Sequence, residues 1–239
     1  MTNRLPDISQ RKAARIAGFG WLIIIIAGIF AEFVIRMQLI VPGDAATTAN
    51  NIMDSEWLFR ISIVSDLIML AFDVVVALAL YVVLKPVNRS LALLAAIFRL
   101  VMDAILGINL LNLIVALLLL RGADYLTVFE TDQLHAQALL FLNAHSSGYD
   151  LALVFFGLSL LVLGYLVFKS GYIPRILGVL LIIASFGYLI DSFANVLLPQ
   201  DEAIITMIAS ILIVLAIIAE LSLSLWLIIK GGKIPETES

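Results

Sequence analysis

The chain contains no cysteine. That excludes disulfides, thiolate metal sites, cysteine nucleophiles and cysteine-ligated clusters. Histidine is almost as scarce, with only His135 and His145. Charged residues make up 13% of the 239 positions, about half the usual share in a soluble domain. The formal net charge is -4, and no basic patch points to nucleic acid as a partner. No nucleotide loop, dinucleotide fingerprint or zincin helix is present. "GYLVFKSG" has glycines but no phosphate-binding pattern. No cofactor and no resident metal are predicted.

Apolar residues fill the space that these absences leave. They account for 63% of the chain, and the mean hydropathy is +1.13. A soluble domain of this size could not bury so much apolar surface, so the expected solvent is a lipid bilayer. Crossing its core of roughly 30 Å takes about 20 residues of helix. Six runs qualify, at about 16–40, 57–84, 90–120, 147–168, 174–198 and 203–229. Backbone groups in lipid must bond within their own span, so the runs predict helices. No alternating pattern suggests a barrel. The expected fold is an all-α bundle of six transmembrane helices spanning 15–230. Short tails at 1–14 and 231–239 flank it.

Basic residues predict the orientation. Arg4, Arg11, Lys12, Arg15, Lys85, Arg89, Lys169, Arg175, Lys230 and Lys233 fall on one set of flanks. Only Arg36 and Arg121 fall on the other. The positive-inside rule then places both termini in the cytoplasm of a cell-membrane protein. Three helices end alike, in "LYVVLK", "GYLVFK" and "LWLIIK", each with an aromatic four residues before a lysine. This is an interfacial ring beside a snorkelling cation. The first and fifth runs begin alike, in "RIAGFGWLIIII" and "RILGVLLIIASF", with Glu32 and Asp191 about four turns on. A remnant repeat and a generic inward-to-outward helix both fit that match.

Ionisable residues inside the spans are the functional signal. Each costs about 2.5–3.5 kcal/mol at mid-bilayer, so each needs a partner or a cavity. At about 1.5 Å per residue, Glu32 and Asp191 are expected in an outer layer with Arg60, His145 and Asp150. Asp66, Arg99 and Asp103 are expected near mid-membrane, and Asp73 and Glu220 close to the cytoplasmic end. Asp66 and Asp73, seven apart, share a helix face. Arg99 and Asp103, four apart, can pair along their helix. In a structural reading Arg99 holds Asp66 and Asp103, and Arg60 holds Glu32 or Asp191. In a functional reading the same groups line a cavity for a ligand or for protons.

The stretch "AHSSGYD" at 144–150 joins a polar segment to an apolar run. Ser147 fits a helix N-cap, with Asp150 completing a capping-box-like pattern. His145 is not explained by that cap. Serine, histidine and aspartate are adjacent here, but a triad is recognised by geometry rather than adjacency. A mixed metal site of His145, Glu32, Asp150 and Asp191 is conceivable on ligand type.

The segments "RIAGFGWLIIIIAGIFAEFVIR", "VPGDAATTANNI", "LFRISIVSDL", "LKPVNRSLALLAAIFRLV" and "HSSGYDLALVFFGLSLLVLGYLVFKSGYIPRILG" resemble the bacterial membrane-protein family known as domain of unknown function 4386. The resemblance implies a six-helix membrane fold and no particular activity, substrate or cofactor. Its motifs include Glu32, Asp44, Arg60, Asp66, Arg99, His145 and Asp191. The leading expectation is a polar intramembrane cavity, open to the outside, that binds or passes a small or lipidic ligand or relays protons. One alternative is an enzyme at the outer face using His145 with carboxylates. Another is a helix-bundle subunit or sensor.

Overall fold

The computed structural model describes residues 8–197 and 203–234, with backbone alone for 203–211, 213 and 232. Among these residues the chain is helical, without strands. The helices are α1 (Gln10–Leu39), α2 (Ala45–Asp54), α3 (Glu56–Leu84), α4 (Arg89–Arg121), α5 (Thr131–Lys169), α6 (Arg175–Leu197) and α7 (Ala203–Lys230). Five of them, α1, α3, α4, α5 and α6, are long and apolar enough to cross a membrane. The run expected to be the sixth span forms the helix α7. The side chains of 203–211, residues 198–202 and most of both tails lie outside the described residues.

Local sequence explains the boundaries. Ser9 caps α1 and Asn88 caps α4, each side chain accepting an N–H from three residues on. Asparagine and serine serve here because each satisfies an otherwise orphaned donor. α4 ends at Gly122, whose φ of +62° is the left-handed conformation that glycine adopts without penalty. Lys169 lies 5.9 Å from the Tyr165 ring centre, so that aromatic–lysine pair at a helix end is in contact.

Two boundaries depart from expectation. The predicted cap at Ser147 does not exist: α5 runs unbroken through "AHSSGYD" from Thr131. Its cap is Glu130, in a capping box with Gln133. No proline stands between Thr131 and Lys169, so the polar segment before the apolar run and the run itself form one helix. At about 1.5 Å per residue the 39 residues measure about 58 Å, twice the hydrocarbon core, so one end projects beyond it. In α1, residues Phe30–Arg36 form a π-helical segment, wider than an α-turn and frequent at functional sites.

The long helices pack in a closed ring. α1 packs on α3, α3 on α4, α4 on α5, α5 on α6 and α6 on α7, and α7 returns to α1. Short connections at 85–88 and 170–174 make those neighbours antiparallel. The backbones of α5 and α6 approach closely, so that a Cβ added at Gly178 would meet the Gly164 carbonyl and the Phe168 amide at 2.6 Å. The short α2 lies against α5.

Polarity is inverted relative to a soluble protein. Leu78, Ile108, Leu111 and Phe186 are exposed, while Asp66, Asp73, Arg99, Asp103, His145 and Glu220 are buried. Outward apolar and inward charged faces suit a lipid surround. At the lysine-bearing end the ring is filled by Leu80, Val83, Leu84, Leu163, Leu166 and Leu227, all buried. It is tied there by Gln10 and Tyr172, which both donate to the Val83 carbonyl, at 3.2 and 2.7 Å.

Candidate functional site

The ring encloses a cavity of about 270 Å³, lined by residues from all six long helices. Its ionisable lining groups are Glu32, Asp73, Arg99, Asp103 and Glu220, with Tyr149 and Tyr188 among its walls. Most of the remaining surface is aliphatic or aromatic, including Ile24, Met69, Met102 and Phe156. On the α1 side it reaches Phe33, which is 51% exposed, and Ile29. On the lysine side of Arg99 only a space of about 10 Å³ remains, room for one water at most.

Arg99 organises the cavity floor. Its Nε donates to Asp73 Oδ1 at 2.8 Å and Oδ2 at 2.7 Å. Its guanidinium lies 4.6 Å from the Trp21 ring centre and 5.2 Å from that of Phe156. Trp21 Nε1 in turn donates to Glu220 Oε2 at 3.0 Å, and the Tyr188 hydroxyl donates to Oε1 at 2.8 Å. Arg99 Nη1 and both oxygens of Asp103 have no donor or acceptor partner among the described residues.

This corrects the expected pairing and the expected depths. Arg99 does not hold Asp66, and Asp73 and Glu220 do not form a separate cytoplasmic layer. α3 and α4 are antiparallel, so residues equally far from the 85–88 connection stand opposite each other. Asp73 and Arg99 are each about three turns from it; Asp66 is about two turns further away. Glu220 stands about three turns from Lys230 and reaches the same level. Depth counted from the far end of α3 fails because that helix, at 29 residues, is longer than the hydrocarbon core is thick.

A second charged cluster lies above the floor. Arg36, which looked like an outer-flank residue, is 2% exposed inside the ring. It donates to Asp66 Oδ2 at 2.5 Å and Oδ1 at 3.4 Å, and through Nε to Glu32 Oε2 at 2.7 Å. The π-helical segment carries both Glu32 and Arg36. His145 is buried beside this cluster. Its Nδ1 faces the Asn109 carbonyl at 3.3 Å, and Asn109 Nδ2 donates to the His145 carbonyl at 2.8 Å. Nδ1 therefore carries the hydrogen, and Nε2 is left without a partner among the described residues. Gly148 permits this contact: a Cβ there would collide with the Asn109 side chain.

The remaining predicted residues sit elsewhere. Arg60 pairs with Glu56 at 2.7 Å, not with Glu32 or Asp191, because Glu56 lies one turn away on α3 itself. Asp150 reaches Asn195 and has Asp191 as its charged neighbour, between α5 and α6 and outside the cavity lining. Of the outer group expected from Glu32, His145 and Asp191, Glu32 and His145 thus share the Arg36 cluster, while Asp191 lies apart beside Asp150. Ser146 and Ser147 are exposed, so His145 faces no nucleophile from that stretch. Among the described residues no three His, Asp or Glu could share a metal ion.

Sequence reasoning missed Arg36, Trp21, Tyr149 and Tyr188. The usable signal was a polar-tipped aromatic deep within an apolar run, since a buried indole or phenol needs a hydrogen-bond partner. Arg36 was obscured by its closeness to a loop.

The ring and its charged interior define a multi-pass helical membrane protein. The chain belongs to the family described as Domain of unknown function (DUF4386), whose model matches residues 16–231. It is 33% identical over 178 residues to an uncharacterized protein of Archaeoglobus fulgidus, covering 74% of this chain and 88% of the relative. No solved structure matches.

Proposed function

We propose that this protein binds a small amphipathic molecule in the intramembrane cavity and is a membrane receptor or carrier for it. The observation that carries the reading is the cavity itself. It offers about 270 Å³ among aliphatic and aromatic walls, with polar groups gathered at its floor. Such a shape suits a ligand with an apolar body and one polar end. Leaving Arg99 Nη1 and the Asp103 oxygens without partners is costly in a structure that serves packing alone, because each buried unpaired group forfeits its hydration. A ligand's polar end would restore those bonds. The apolar packing on the lysine side fits a site loaded from the opposite side or from lipid past Phe33.

Native mass spectrometry of protein released from membranes tests the reading. Wild-type protein is expected to carry a molecule of a few hundred daltons that is absent from a Met102→Trp variant, whose larger side chain fills the cavity. Identical spectra for the two folded proteins overturn it.

A further inference from the structure

We propose that a groove between α3 and α4, at the end of the ring opposite the lysines, binds one anionic phospholipid. Its phosphate rests on Arg60 and Arg121, and an acyl chain lies beneath them. The groove is a space of about 330 Å³ and shares no lining residue with the intramembrane cavity. Five aliphatic side chains and the two arginines line it. Ile63 and Leu117 are buried and form its floor, while Val64, Ile114 and Leu118 are exposed and form its walls.

The order of residues along both helices matches the profile of a phospholipid. α3 starts at this end, so Arg60 comes first and Ile63 and Val64 follow inward. α4 finishes at this end, so Arg121 is outermost and Leu118, Leu117 and Ile114 lie successively deeper. Spacings of three and four place each set on one helix face. From Arg121 to Ile114 the groove runs about 10 Å along α4, charged at its mouth and aliphatic below. Trp57, one turn before Arg60, is 73% exposed. Such an indole rests at headgroup level, which puts the arginines at phosphate depth.

Charge decides the occupant. Arg60 Nε and Nη2 both reach one oxygen of Glu56 at 2.7 Å. Arg121 Nε stands 3.7 Å from the same oxygen, too far for a hydrogen bond. One carboxylate oxygen thus serves two guanidinium groups, and one positive charge is left over. The arginine side chains are 40% and 57% exposed, so their remaining N–H groups are open to a partner from the membrane. A phosphodiester supplies one negative charge and two oxygens in the fork geometry that guanidinium recognises. Phosphatidylcholine carries the same phosphate, but its trimethylammonium cancels the charge. An apolar chain without a phosphate leaves both arginines unanswered.

Photo-crosslinking of full-length protein in phosphatidylcholine nanodiscs tests the site. The probes are trace phosphatidylglycerol and trace phosphatidylcholine, each with a diazirine on the same acyl chain. Proteolysis and mass spectrometry map the adducts. Segments 57–64 and 114–121 are expected to take about fivefold more phosphatidylglycerol than phosphatidylcholine, the effect of one unbalanced charge near a membrane surface. Arg60→Gln combined with Arg121→Gln is expected to abolish that preference and to leave adducts at the lysine-bearing end unchanged. Should the double variant not fold, Arg121→Gln alone decides, with the preference expected to fall at least by half. Excess glycerophosphoglycerol, the same head without chains, is expected not to compete. Competition by it reassigns the groove to free phosphate esters and overturns the lipid proposal. Equal labelling of these segments by the two lipids, or a preference that survives the substitutions, overturns it as well. The receptor or carrier reading of the cavity stands or falls separately, on its own mass-spectrometric test.

Discussion

Arg99 on α4 and Asp73 on α3 meet at 2.7–2.8 Å through Nε, with both side chains at most 3% exposed. Each residue makes the other's burial tolerable. A lone charge at this depth loses its hydration, and apolar neighbours return nothing for it. The pair also sets the level at which α3 and α4 stand against each other.

Removing one partner is therefore expected to be worse than removing both. Arg99→Met should destabilise the protein by about 3–5 kcal/mol, because Asp73 remains buried without its cation. The double variant Arg99→Met with Asp73→Leu should recover most of that loss. Denaturant titration in detergent micelles, arranged as a double-mutant cycle, measures the coupling. Additive losses would show that the two residues act independently.

Arg36 poses the same test with an internal control. It joins Asp66, whose side chain is 3% exposed, to Glu32, whose side chain is 50% exposed. Arg36→Leu should cost about 3–5 kcal/mol by stranding Asp66. Glu32→Gln should cost less than about 1 kcal/mol, since a half-exposed carboxylate keeps its water. Thermal unfolding of the two variants gives the ranking, and a larger loss for Glu32→Gln would contradict it.

In the connection between α1 and α3, Asp44 caps α2, accepting from the Thr47 hydroxyl at 2.7 Å and the Thr47 amide at 2.9 Å. These bonds hold its carboxyl below the ordinary aspartate value of 3.8. Depression in the folded state means that the contribution is fully present above that value. It is lost as pH falls through the lower folded one. Asp44→Asn retains an acceptor for the cap, and its α2 should lose this acid sensitivity. Amide exchange in α2 between pH 5 and pH 3 reads the difference.

Much of the architecture was legible because it depends on summed properties. Long apolar runs, aromatic–lysine endings and caps such as Asn88 act locally, and each predicts a helix or its boundary without reference to the rest of the chain. The break expected at Ser147 was misplaced because a serine–glycine stretch is compatible with both a helix start and a helix interior. Packing against Asn109 decided for the interior. Arg60 was assigned a distant partner although Glu56, one turn away, lies closer than any cross-helix carboxylate considered for it.

By itself the sequence determined that this chain is helical and that charge lies within its apolar runs, because composition and period are properties of the chain alone. Which charges meet was decided only by tertiary structure. Asp73 faces Arg99, Asp66 faces Arg36, and Asp103 is left beside Asp73 without a donor. Those relations depend on the relative height and rotation of helices, and a shift of one turn, about 5.4 Å, exchanges every partner.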